Sequence, residues 1–180
     1  MNRPKLTGLA AADDSLRTRG IPAFLKPGRD IAILAGVQII CFLALTRLEP
    51  RFLIIHLYQL IPYVAIVLLV GYGHERWAYM IGPLVSLVWL GLAYMAGLLG
   101  SAVERLRTFG SSSPDANLVA LFALATAVVA VLMTVLSRIH WMKEYSGRVP
   151  TWRTFLFSLG IVVAYYGILL RWFWDMIPNA

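Results

Sequence analysis

Three histidines, two glutamines and one short charged run are the residues of this chain whose types and spacing bear on chemistry. His56, His74 and His140 are its only imidazoles. Imidazole is the usual haem or metal ligand on membrane helices and the side chain that changes charge near neutral pH. His74 and His140 fall at the ends of two apolar blocks on the same predicted side, so they form the candidate pair for a cofactor site, with Glu75 or Glu144 beside them. His56 falls on the opposite side and has no histidine partner at its depth. Two interfacial imidazoles facing headgroups are the commoner arrangement, so neither a metal nor a cofactor is expected.

Gln38, Gln59 and Tyr63 are the polar side chains expected to make contacts at membrane depth. An amide is costly to leave facing lipid, and Gln38 and Gln59 fall on what should be adjacent antiparallel helices. They are expected to bond across a shared interface as helix-to-helix glue, in preference to holding a polar ligand or quinone. Glu104, Arg105 and Arg107 form a charged run without a second carboxylate or a histidine nearby, so they supply no acid-base pair and no catalytic residue is expected. Gly71-Tyr72-Gly73 lacks the third glycine and the preceding strand of a phosphate-binding loop. Cys41 is the only cysteine, which excludes an intramolecular disulfide and a cysteine-rich metal site.

The elements that carry these residues are long apolar helices. The 180 residues are 59% apolar and 14% charged, whereas a soluble domain is about half apolar and about a quarter charged. The apolar residues come in blocks joined by short charged segments, the pattern of a polytopic membrane chain. Five transmembrane helices are expected, at 31–46, 52–72, 77–100, 118–137 and 155–172, in an all-α bundle. The first, at 1.5 Å per residue, reaches only about 24 Å and is short for a hydrocarbon core of about 30 Å. The joint Arg47 to Arg51 is so short that the first two helices must be antiparallel neighbours. Pro62 removes the hydrogen bond to the carbonyl of Tyr58 and should kink the second helix. Ser113, Pro114 and Asp115 read as a helix start.

Residues 1–30 form an N-terminal arm rich in Lys, Arg, Pro and Gly that cannot span a bilayer. Its segment Ile21 to Leu25, beside Lys26 and Arg29, suits a membrane surface or a partner. The first apolar block is expected to be retained in the protein and not cleaved as a signal peptide. The net charge of +7 has no aromatic-interleaved basic patch behind it, so nucleic acid is not an expected partner.

On the arm side lie Arg3, Lys5, Arg17, Arg19, Lys26, Arg29, Arg76, Arg138, Lys143, Arg148 and Arg153; on the other lie Arg47, Arg51, Arg105, Arg107 and Arg171. Because cytoplasmic loops carry the excess, the N-terminus is expected inside and the C-terminus outside, in a cell inner membrane. Tyr72, Trp77, Tyr79, Trp141, Tyr145 and Trp152 should mark the inner border, with Trp172, Phe173 and Trp174 at the outer one.

Small residues at helical spacing mark packing seams: Gly36 with Ala32, Gly97 with Ala93, Gly100 with Ala96, and Gly160, Ala164 and Gly167. A seam inside the bundle is the expected use, with contact to a partner protein or a second copy as the other. No Asp, Glu, Lys or Arg falls in the interior of the five spans, which disfavours a proton- or ion-driven transporter. The expected function is a non-catalytic subunit or accessory protein of a larger membrane complex. A small oligomeric transporter or channel for a neutral solute comes next, and a membrane redox or lipid-modifying enzyme third.

Overall fold

The structure, a computed structural model, describes residues 29–108, 113–145 and 151–173, and of Thr151 and Phe173 only the backbone. The arm before Arg29, its segment Ile21 to Leu25, and Trp174 lie outside the described residues. The described chain is all-helical and has no strand among these residues. Helix α1 is Arg29–Leu48, followed by a 3-10 turn at Pro50–Phe52, α2 at Leu53–Gly71, α3 at Glu75–Met95, α4 at Leu98–Arg107, α5 at Pro114–Glu144 and α6 at Thr151–Phe173. All but α4 are long and apolar enough to cross a membrane.

Their ends follow local chemistry. Ser113 accepts a hydrogen bond from the Ala116 amide at 3.4 Å, Pro114 occupies the first position of α5, and Asp115 lies in the first turn, beside the positive helix end. Gly73, at φ +75°, closes α2. Its amide donates to Val70 and that of His74 to Leu69, the paired bonds by which a left-handed glycine satisfies a helix's last carbonyls.

Gly97, at φ +70°, closes α3 in the same manner, with its amide on the carbonyl of Tyr94. The span expected to run to residue 100 therefore stops at Met95, and Leu98–Arg107 forms a separate helix that takes up the end of that span and the start of the connection after it. Helices α1, α5 and α6 extend beyond their expected ends, whereas α2 is one residue shorter at each end. Helix α1 has 20 residues, or about 30 Å at 1.5 Å each, so the first span matches a hydrocarbon core in length. Arg29 and Asp30 belong to it and not to the arm. Helix α5 continues to Glu144, which puts His140 on its last turns.

Helix α1 lies along α2 and α5, α3 lies along α5 and α6, and α4 packs on α5. The core centres on Phe42, Tyr63 and Trp89, with the Phe42 ring 5.8 Å from Tyr63 and 6.0 Å, edge-on, from Trp89. Small residues let the helices approach: Ala35, Ala78 and Ala130 are fully buried. At Gly82 an added Cβ would stand 2.9 Å from Ile31 Cδ1 and 3.3 Å from Met133 Sδ, so this glycine is where α3 meets α1 and α5. The glycines picked out as seams behave otherwise. A Cβ added at Gly36, Gly97, Gly100, Gly160 or Gly167 would meet nothing within 4 Å, so these positions do not hold the described bundle together.

Candidate functional site

The bundle has two chemically distinct ends. At the near end, where α1 begins, Asp30, Tyr79, His140 and Glu144 come together from α1, α3 and α5. His140 Nε2 lies 2.8 Å from Asp30 Oδ2, and its Nδ1 lies 3.5 Å from Glu144 Oε1, one turn further along α5. Tyr79 donates to Asp30 Oδ1 at 3.1 Å, and its ring stacks on the imidazole with centroids 5.4 Å apart. Tyr145 closes the group against Tyr79 and Trp141. Its burial, together with the charges of Glu75 and Glu144, pushes its phenol above the usual range, so it stays neutral.

His74, the other expected member of a cofactor pair, is exposed in the turn before α3. His140 is instead engaged by carboxylates, because α1 begins two residues earlier than expected and brings Asp30 to it. Among the described residues no group of three or more His, Cys, Asp or Glu side chains is placed to hold a metal.

Midway along the bundle Gln38 is fully buried. Its Nε2 donates to the carbonyl of Thr126 at 3.4 Å and faces Tyr63 Oη at 3.5 Å, while its Oε1 has no partner. The amide thus ties α1 to α5 and α2. Gln59 is not its partner; it lies one helical turn from Tyr63, on the wall of a cavity.

That cavity, of about 340 Å³, opens at the far end, where α1, α3 and α6 finish and α2 and α5 start. Its apolar surface comes from every long helix: Phe42 and Leu45 of α1, Ile55 of α2, Trp89 and Ala93 of α3, Ala120 and Ala123 of α5, and Leu169 of α6. Its polar groups are Glu49, Arg51, His56, Gln59, Ser101 and Arg105. His56 Nδ1 is buried and has no hydrogen-bond partner, and the ring meets Phe52 edge-on at 6.3 Å. Arg51 lies over the Phe52 ring at 4.6 Å. The neighbouring Arg107 is paired with Glu104 at 3.6 Å on the exposed side of α4. A pocket of this size, mostly apolar with a few convergent polar groups, has the construction common to small-molecule sites and makes this the candidate site.

The cavity is the part of the molecule that sequence reasoning missed. Its residues come from six helices, and Arg105 reaches it only because α4 is a helix. A usable signal existed: Leu99, Ala102 and Leu106 recur at helical spacing opposite Glu104 and Arg107, just after a glycine suited to end α3.

An all-helical bundle with five helices of membrane-crossing length and a cavity at one end is the class that fold and site define. No family model, no curated protein and no solved structure matches this chain.

Proposed function

We propose that this chain is a multi-pass integral membrane protein, with its N-terminus cytoplasmic and its C-terminus on the other side, that works as a non-catalytic subunit or accessory protein of a membrane assembly. The observation that carries this reading is the outer line of α6. Thr154, Ser158, Val162, Tyr166 and Leu169 face inward and are buried. At 100° per residue, Gly160, Ala164 and Gly167 fall on the opposite side, and all three are exposed.

Lipid gains nothing from a flat, side-chain-poor helix face, whereas a second helix can come close to it. The partner is therefore a transmembrane helix, from another protein or from a second copy of this chain. Replacing Gly160 and Gly167 together by Leu is expected to release co-purifying partners, or to reduce a homo-oligomer to the single chain, in size-exclusion chromatography with light scattering. Ile161→Leu, on a flank of the same helix, should leave the assembly intact. An unchanged assembly in the double variant overturns the reading.

The cavity favours a second reading, a small-molecule binder or carrier. Its volume and mixed lining support binding, and uptake into liposomes containing the purified chain would distinguish a carrier from a binder.

A further inference from the structure

We propose that the far-end cavity binds an amphiphile with a phosphate headgroup, its chain on the apolar floor and its phosphate between Arg51 and Arg105. This goes beyond the partner reading and fails or stands separately from it.

The inference rests on how the cavity is divided. Phe42, Leu45, Trp89, Ala93, Ala120 and Leu169 form a floor with no hydrogen-bonding group apart from the Trp89 indole, a surface that suits an alkyl chain and not a sugar or an ion. The polar groups gather where α1 ends and α2 begins, and on α4, which is the level at which lipid headgroups sit when the five long helices span a bilayer. Arg51 and Arg105 reach this rim from different elements, both exposed, and neither has an ion-pair partner among the described residues. Guanidinium groups hold phosphate through paired N–H bonds, and two of them flanking one opening outweigh the single carboxylate there, Glu49.

Glu49 nevertheless repels a bare dianion, so the geometry favours a phosphate that carries an ester or a hydroxyl on that side. Just inside the rim, the His56 ring and the Gln59 side chain line the wall at the depth of the ester linkages.

The test uses the full chain purified in a maltoside detergent, with lysophosphatidic acid as the probe and empty micelles as the blank. Saturable binding is expected, together with a rise in the thermal unfolding temperature that the same concentration of inorganic phosphate does not produce. Arg51→Gln with Arg105→Gln should raise Kd at least tenfold. Arg47→Gln with Arg107→Gln removes the same charge from the same end outside the cavity and should leave Kd within about twofold. Ala123→Phe narrows the floor and should weaken the lipid at least tenfold while the variant unfolds at a temperature near that of the parent.

Equal losses from the two arginine pairs would mean only general surface attraction and overturn the site. Inorganic phosphate that displaces the probe at equal concentration would assign the rim to free phosphate and overturn the amphiphile. Should Ala123→Phe not fold, Ala96→Phe, at the end of α3 and also in the cavity lining, replaces it, and undiminished binding by a folded cavity-filling variant overturns the placement of the chain.

Discussion

At the scale of single residues, the most informative pair is Tyr58 and Tyr165. Pro62 has no amide hydrogen, so the carbonyl of Tyr58 loses its helical donor. In water that carbonyl would be solvated; among apolar helices it needs another partner. Tyr165 of α6 supplies one, donating its hydroxyl to the Tyr58 carbonyl, while Tyr58 donates to the Tyr165 carbonyl at 2.9 Å and the rings stack at 4.3 Å. A proline that would weaken an isolated helix therefore creates the docking point between α2 and α6. Tyr165→Phe keeps the stacking and removes the donor. It is expected to cost about 1 kcal/mol, the usual scale for a hydrogen bond between membrane helices, measured by unfolding in mixed detergent. A double-mutant cycle with Tyr58→Phe should give coupling between the sites, because the two bonds share one geometry. Additive losses would mean that the tyrosines act independently and the pair is not a clamp.

At the scale of elements, α4 is what turns a helical bundle into a bundle with a cavity. Gly97 makes it possible: an L-residue at φ +70° is strained by about 1–2 kcal/mol, and a continuous α3 would carry residues 98–107 away from the far end of α5. Ala102 is buried on α5 while Glu104 and Arg107 stay exposed, so one face of α4 holds it down. Gly97→Ala is expected to loosen α4 without unfolding the bundle. Hydrogen exchange should quicken over residues 98–107 by about tenfold, in line with a strain of roughly 1.4 kcal/mol, while α1 and α5 keep their protection. Exchange that quickens everywhere would show that α4 is part of the global core. The five long helices were legible in the sequence because apolar length is a property of consecutive residues. Pro62 and the Ser113 cap were legible because each acts on its own neighbours in the chain. The cavity, the Asp30 to His140 contact and the tight glycine were not. Gly82 looks like Gly36 or Gly160 in the sequence, and only the crossing of α1, α3 and α5 decides that one is filled and the others are open.

At the scale of the whole molecule, the expected orientation depends on residues outside the described ones. Within the described residues the near end carries Arg29, Arg76, Arg138, Lys143 and Arg153, and the far end carries Arg47, Arg51, Arg105, Arg107 and Arg171. Five oppose five, so the helical bundle alone has no bias that the positive-inside rule can use. The excess comes from Arg3, Lys5, Arg17, Arg19 and Lys26 of the arm, with Arg148 in the last joint. Arginines at the cavity rim explain part of the balance: Arg51 and Arg105 add to the far-end charge and so work against the orientation that the arm favours. Two cysteine variants read the outcome, in a background where the buried Cys41 is replaced by Ser. Thr108→Cys lies at the far end and His74→Cys in an exposed near-end turn. A membrane-impermeant maleimide applied to intact cells is expected to label the first, and the second only after permeabilisation. Changing the five arm cations to Gln should then give partial labelling of both, a mixed population, because the remaining charges no longer choose. If the arm-neutral chain still labels only at Thr108→Cys, orientation is set by something other than the arm. If the parent labels only at His74→Cys, the N-terminus lies outside the cytoplasm.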